Sequence, residues 1–335
     1  MALQARPTPG GPRKAAGPGT SPGSGRHSRP GPDGRRSNRW RVERHLIPYV
    51  FVAPFFLVFG VFGAYPLLQT FWVSLHDWDR LSGAGRWVGF ENFSRLLDDS
   101  DFYTATFNTI SIFVVSTVPQ LIAALGLAWL LDRHLRSPSV WRALVLVPQY
   151  VSVVAVALVF SQLFGRDFGI VNWVLQSLGV ISDPIDWTGE TWSSHLAISF
   201  MVMWRWTGYN ALIYLAAMQA VPRELYESAQ IDGASRLTTF LKVTLPSIRP
   251  TIVFTVVIST IGGLQLFAEP FLFDQSGNAE GGAEHQFQTL TLMLYKYGFI
   301  NNDAGYASAI SWVLFLVIAV IAAVNFLLAR RSSKA

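Results

Sequence analysis

Pro222-Arg-Glu-Leu-Tyr-Glu-Ser-Ala-Gln-Ile-Asp-Gly-Ala-Ser-Arg-Leu-Thr-Thr-Phe-Leu-Lys-Val-Thr-Leu-Pro246 is a polar stretch caught between two long apolar runs. Its residues predict two short helices around a turn. Pro222 suits the first turn of a helix, where no N–H is needed, and Glu224 and Glu227 suit its positive end. Leu225 and Ala229 share one face, and the small Ser228 and Ala229 let another surface come close. Asp232-Gly233 ends this helix, because glycine accepts the left-handed conformation that a reversal requires. A second amphipathic piece carries Leu237, Phe240, Leu241 and Val243, and Pro246 and Pro250 mark the start of the next apolar run. Two uses fit such a hairpin: lying in a membrane interface, or being displayed to a soluble partner.

Outward from this stretch the chain alternates apolar runs with polar gaps. Of its 335 residues, 51% are hydrophobic and 14% charged, against roughly a quarter charged in a soluble domain. Six runs, near 46–75, 106–131, 143–165, 194–219, 250–272 and 306–329, are long enough to cross a hydrocarbon core of about 30 Å, which takes roughly 20 residues. In lipid the backbone must satisfy its own hydrogen bonds, so each is expected to be a helix. The expected fold is an all-α polytopic membrane protein with six transmembrane helices. Pro54, Gly60, Gly63 and Pro66 in the first run, Pro119 in the second and Pro148 in the third either kink helices around a cavity or permit close packing.

Lysine and arginine set the expected orientation. Twenty of the 26 lie in segments 1–45, 132–142, 220–249 and 330–335, and five in 76–105, 166–193 and 273–305. Acidic residues run the other way, so both termini and the 222–246 loop are expected on the cytoplasmic side. Trp72, Trp78, Trp173 and Trp192 fall near the outer interfaces, and Trp129 and Trp141 near the inner ones. Residues 1–45 hold ten of the basic residues among many Gly and Pro. They read as a disordered cytoplasmic tail attracted to anionic lipid. The net charge of +5 follows this topology, and no basic, aromatic-interleaved groove points to nucleic acid.

Several chemistries are excluded. The chain has no cysteine, hence no disulfide, thiolate metal site or Cys nucleophile. None of its four lysines, Lys14, Lys242, Lys296 and Lys334, follows a glycine, so there is no phosphate-cradling loop. The six histidines are scattered with no metalloprotease or nucleophile-elbow motif on a span. Within the spans the only Asp, Glu, Lys or Arg are Arg205 and Glu269, too few for a proton relay. Uphill transport would then draw on ATP hydrolysed by another polypeptide. The alternative is a secondary transporter driven by an ion gradient, which needs intramembrane carboxylates or broken-helix ion sites.

Glu227-Ser-Ala-x-x-Asp-Gly-Ala, followed by Leu245-Pro246 and Pro250, resembles the "EAA" signature of ABC permeases, the binding-protein-dependent type-1 membrane domain. Ser228 stands where the family has its first alanine. Val88-Gly-Phe-Glu-Asn-Phe-Ser-Arg-Leu-Leu97 and Gly169-Ile-Val-Asn172 resemble segments of the family's sugar-uptake branch. With its extra first span the chain resembles the maltose-type "F" permease. The resemblance covers roughly 46–329 and implies a type-1 permease bundle: a first helix and outer segment over 46–103, the permease domain over 104–329, and a short tail at 330–335. It implies that Glu227, Ser228, Ala229, Asp232, Gly233, Ala234, Leu245 and Pro246 couple the chain to an ATPase. The implied partners are a second, "G"-like permease, an ABC ATPase dimer that binds the ATP and Mg, an extracytoplasmic solute-binding lipoprotein, and a carbohydrate, and the implied location is the bacterial plasma membrane. No catalytic residue, metal or cofactor is expected on this chain itself.

Arg205 sits mid-span in Trp204-Arg-Trp-Thr-Gly-Tyr-Asn210, and an ionisable residue at membrane depth is a functional candidate by default. In the maltose-type permeases, spans four and five line the solute site. Trp206, Tyr209, Asn210, Ser259, Gln265 and Glu269 supply the planar polar groups and aromatic faces that sugars favour. The other reading is structural: Arg205 pairs with Glu269 or with a residue of the partner permease. Glu269, next to Pro270, also fits a gate near the outer end.

Overall fold

The computed structural model describes residues 49–133, 136–274 and 276–332. The tail expected over 1–45, and residues 333–335 of the tail expected over 330–335, lie outside them. The chain divides after Gly60 into two units. In the first, the described stretch 49–60 is helical, and the packing described below is that of Val61–Ala335.

Helix α1 runs Tyr49–Ser74 with a π-helical turn at Gly60–Ala64. A small hairpin of β1, His76–Asp79, and β2, Gly83–Trp87, follows. It is antiparallel, pairing His76 with Trp87 and Asp79 with Gly83, and adds a little sheet to an otherwise helical chain. Short α2, Glu91–Asp98, leads into the long α3, Ser100–Leu131, which carries Pro119 without ending. Next come α4, Pro138–Tyr150, α5, Val153–Leu163, α6, Ile170–Ser177, and the long α7, Thr191–Gln219. The polar loop holds α8, Arg223–Ile231, and α9, which starts at Arg236–Thr239 and continues through a π-turn, Phe240–Thr244, to Leu245–Ser247. The rest is α10, Arg249–Leu264, α11, Ala268–Asp274, α12, Leu290–Tyr295, and α13, Ala304–Ser332.

Four helical stretches are long and apolar enough to cross a membrane: Tyr49–Ser74, Ser100–Leu131, Arg249–Asp274 and Ala304–Leu327. A fifth crossing is reached if α4 and α5 count as one broken span. Six crossings were expected, and two of the expected spans are not single, wholly apolar helices. The third run is not one helix: α4 and α5 meet at 86°, at Val151-Ser152, just past Pro148. The fourth, α7, has 29 residues, about 43 Å at 1.5 Å per residue, yet is not among the apolar helices. Its polar side chains face protein: Ser193, Ser194, His195, Ser199 and Asn210 are all buried. The polar face is turned inward while Leu196, Phe200 and Trp204 stay exposed on the other, so the mean apolarity of α7 falls although one face still suits lipid.

α3 and α7 pack along their lengths at the centre. At the end carrying the 222–246 loop, Ala124, Ala128 and Leu131 of α3 meet Ala211, Tyr214, Leu215 and Met218 of α7, with Val221 and Ile248. At the opposite end, Val156 and Phe160 of α5 pack with Ile198 and Met201 of α7, Trp187 and Phe287. A third core joins Leu96, Phe102 and Leu264 to Tyr306, Ile310 and Leu314 of α13. Two asparagines fasten the connecting segments. Asn92 Nδ2 donates to the carbonyls of Ser74 and His76 at 2.9 and 3.0 Å, seating α2 against the β-hairpin. Asn172 Nδ2 donates to Arg166 and Ile185, and its Oδ1 accepts from Trp187 Nε1 at 3.0 Å. These are the asparagines of the two segments that resemble the sugar-uptake branch.

Candidate functional site

The fifth span breaks where it meets α7. α10 ends at Leu264, and Gln265, Leu266 and Phe267 leave the helix before α11 begins. Free backbone at membrane depth is tolerated where it lines a cavity or is otherwise satisfied. Both conditions hold. The Leu266 carbonyl, orphaned by the break, accepts from Thr289 Oγ1 at 3.1 Å and Thr291 Oγ1 at 2.5 Å. Beside the break lies a cavity of about 490 Å³, within the usual range for a ligand site of roughly 300–1,000 Å³.

All seven residues named from the sequence as a solute path border this one cavity: Arg205, Trp206, Tyr209, Asn210, Ser259, Gln265 and Glu269. α7 supplies the first four and α10 Ser259. The break supplies Gln265, and α11 supplies Glu269. Arg205 Nη1 donates to Glu269 Oε1 at 2.5 Å, so the pairing foreseen as the structural alternative is formed. Trp206 and Tyr209 stand edge to face with centroids 6.1 Å apart. α3 contributes two wall residues that sequence reasoning missed, Thr117 and Gln120. A signal for them exists: Asn108, Ser116, Thr117 and Gln120 are polar residues at helical spacing in an apolar run, and all four are buried. Phe267 of the break is a further missed wall residue.

The segment between α11 and α12 is held down by side chains of the long helices. Asn108 Nδ2 donates to the carbonyls of His285 and Gln288 at 2.8 and 3.1 Å. Thr109 Oγ1 accepts from the Leu290 N–H at 2.9 Å. His195 shares hydrogen bonds with Ser111 Oγ at 2.9 Å and the Gln286 carbonyl at 3.0 Å. No group of three or more His, Asp or Glu placed to hold a metal ion occurs among the described residues.

The 222–246 loop is a separate site, and none of its eight named residues lines the cavity. Pro222 caps α8 from outside, so the helix begins at Arg223, one residue later than expected. Gly233 has φ +73°, and the Ala234 N–H reaches back to the Ala229 carbonyl at 2.9 Å, closing α8 with a left-handed glycine. Ser235 Oγ then accepts from the Thr238 N–H at 3.2 Å and caps α9. Glu227, Ser228, Asp232, Gly233 and Pro246 are exposed, while Ala234 and Leu245 are half-buried. Ala229 is buried and so is not among the displayed residues. The displayed apolar groups are Leu225, Leu237, Leu241 and above all Ile231, which is 86% exposed. Tyr226 and Phe240 root the loop in the core beneath, and Trp129 lies 5.6 Å from the Phe240 ring.

Comparison with known proteins bears on both sites. The family described as "Binding-protein-dependent transport system inner membrane component" matches residues 82–334. The lactose transport system permease protein LacF of Rhizobium radiobacter is 36% identical over 287 residues, 84% of this chain and 93% of that protein. The trehalose/maltose transport system permease protein MalF of Thermococcus litoralis is 32% identical over 286 residues, 85% of this chain and 94% of that protein. Among solved structures, a chain of a bacterial ABC transporter that imports the acidic polysaccharide alginate superposes with a TM-score of 0.73 at 23% identity. The match covers 88% of this chain and 99% of that one, and it shares the fold.

Proposed function

The chain belongs to the family of binding-protein-dependent transport system inner membrane components, and we propose from that membership that it carries a di- or oligosaccharide across the bacterial plasma membrane. It is the permease subunit of an ABC importer for sugars, a transport subunit and not an enzyme. Membership removes the ion-gradient alternative. The observation that carries the cargo reading is the cavity at the broken helix, where the rings of Trp206 and Tyr209 stand beside the amides of Asn210 and Gln265. Such a wall offers flat apolar faces to the C–H side of a sugar ring and hydrogen bonds to its hydroxyls. The likeness to lactose and trehalose/maltose permeases supports it.

The hairpin supports the coupling role. Its apolar tip, Ile231 with Leu225, Leu237 and Leu241, is too exposed for a surface that meets only water, and it is rimmed by Glu227 and Asp232. It docks into a nucleotide-binding subunit, and that dimer, not this chain, holds the ATP and Mg. A second permease packs beside this one in the lipid. An extracytoplasmic binding protein delivers solute to the opposite end. Both termini lie in the cytoplasm, with the loop on the same side by the distribution of Lys and Arg.

Deleting residues 227–246 tests the docking role. The shortened chain is expected to insert in the membrane at normal levels while sugar uptake and sugar-stimulated ATPase activity are lost. Uptake at the wild-type rate refutes it.

A further inference from the structure

Among the described residues bordering the cavity, Arg205 and Glu269 are the charged ones. Their side chains are 13% and 6% exposed and they bond to each other. A guanidinium or a carboxylate alone at this depth is strongly unfavourable. Paired, the two leave the wall with no net charge. The other polar groups there, Thr117, Gln120, Tyr209, Asn210, Ser259 and Gln265, are neutral. Two donors of this wall have no partner among the described residues: Gln120 Nε2, on a residue 2% exposed, and the buried Nε of Arg205. Buried donors without partners point to a ligand that brings acceptor oxygens. A hydroxyl oxygen meets that need. A carboxylate would shed its hydration beside Glu269 and find the one cation of the wall already engaged.

We infer that Glu269 sets the charge class of the cargo: by holding Arg205 it makes the cavity accept neutral saccharides and reject those bearing a carboxylate. This rests on the cavity being the sugar path proposed above. Removing the charge of Glu269 frees the Arg205 fork, whose geometry matches a carboxylate with two parallel hydrogen bonds, and turns a neutral wall into a cationic one.

The test uses the transporter purified in detergent with the subunits that accompany it. Binding is titrated calorimetrically with digalacturonate and with lactose, maltose, trehalose and cellobiose. Glu269→Gln is expected to bind digalacturonate about tenfold or more tightly than wild type, the worth of a hydrogen bond to a charged group, with no gain for a neutral sugar. Equal digalacturonate affinity in the two proteins overturns the inference. Should Glu269→Gln fail to assemble, Glu269→Ser removes the same charge and frees Arg205, and the same gain is expected; its absence overturns the inference equally. The neutral sugars answer separately. If none of them binds wild type while the digalacturonate gain is present, the sugar-path reading falls and the charge rule stands.

Discussion

Gly208 marks a close approach of α7 to α4: a Cβ built there runs into the Val145 carbonyl. Gly208→Ala is therefore expected to force the helices apart and cost about 1–3 kcal/mol, the usual range for overpacking, read as a lower melting temperature of the purified protein. Gly233 illustrates the opposite case. Nothing crowds it, and its glycine is required by φ +73° alone. Asp186 tests electrostatics outside the spans. Burial pushes its carboxyl pKa up, but the donors of Thr188 and Gly189, with Arg166 nearby, outweigh this and hold it below the usual carboxylate range. A depressed folded pKa stabilises above the unfolded value of about 3.9 and loses that contribution as pH falls through the folded one. The melting-temperature gap between wild type and Asp186→Asn is thus expected to stay constant near neutrality and to close below about pH 4. A gap that persists in acid contradicts the assignment. Gly233 was legible in advance from the Asp-Gly turn it sits in, whereas Gly208 and Asp186 were not. Gly208 is one glycine among 27, and only the approach of α4 singles it out.

At the scale of elements, the broken fifth span is the decisive device. Its free carbonyl at Leu266 is held by two threonines from the start of α12, and Thr289 also caps that helix, accepting from the Leu292 N–H at 3.3 Å. Replacing both, Thr289→Val with Thr291→Val, leaves a carbonyl without its partners and is expected to cost about 1–3 kcal/mol. Thr291→Val alone is expected to cost less, because Thr289 remains. Thermal unfolding of the two variants distinguishes this from a purely local packing effect, in which the two losses would simply add. The sequence marked the region as polar through Gln265 and Glu269, but it did not announce the break, since Arg249–Asp274 reads as one apolar run. Likewise Pro148 announced a disturbance in the third run and not the 86° turn. How far a helix departs from straight after a proline depends on what its neighbours offer the freed backbone groups.

For the whole molecule, the two sites lie apart, joined by α7, whose middle carries Arg205 and whose end leads into the loop at Val221. Movement imposed on the hairpin has a rigid route to the cavity through the core of Tyr214, Leu215, Met218 and Ile248. Sidedness is open to direct measurement because the chain has no cysteine. Glu227→Cys is expected to react with a membrane-impermeant maleimide only once the cytoplasmic face is opened, and Asp183→Cys in intact spheroplasts. The reverse pattern would invert the topology and end the docking reading. By itself the sequence determined a lipid-embedded helical chain, the helix–glycine–helix form of the loop, the family, and the residue types from which a sugar path is proposed. Those properties are local: apolar length, charge placement, glycine and proline chemistry, and motif spacing are all written along one strand of chain. Only the tertiary structure decided that the seven residues proposed as a path, from α7, α10, the break and α11, share one cavity, that Thr117 and Gln120 of α3 complete it, and that Arg205 is engaged by Glu269. Such facts depend on how separate helices cross, and crossing is set by packing between side chains far apart in sequence.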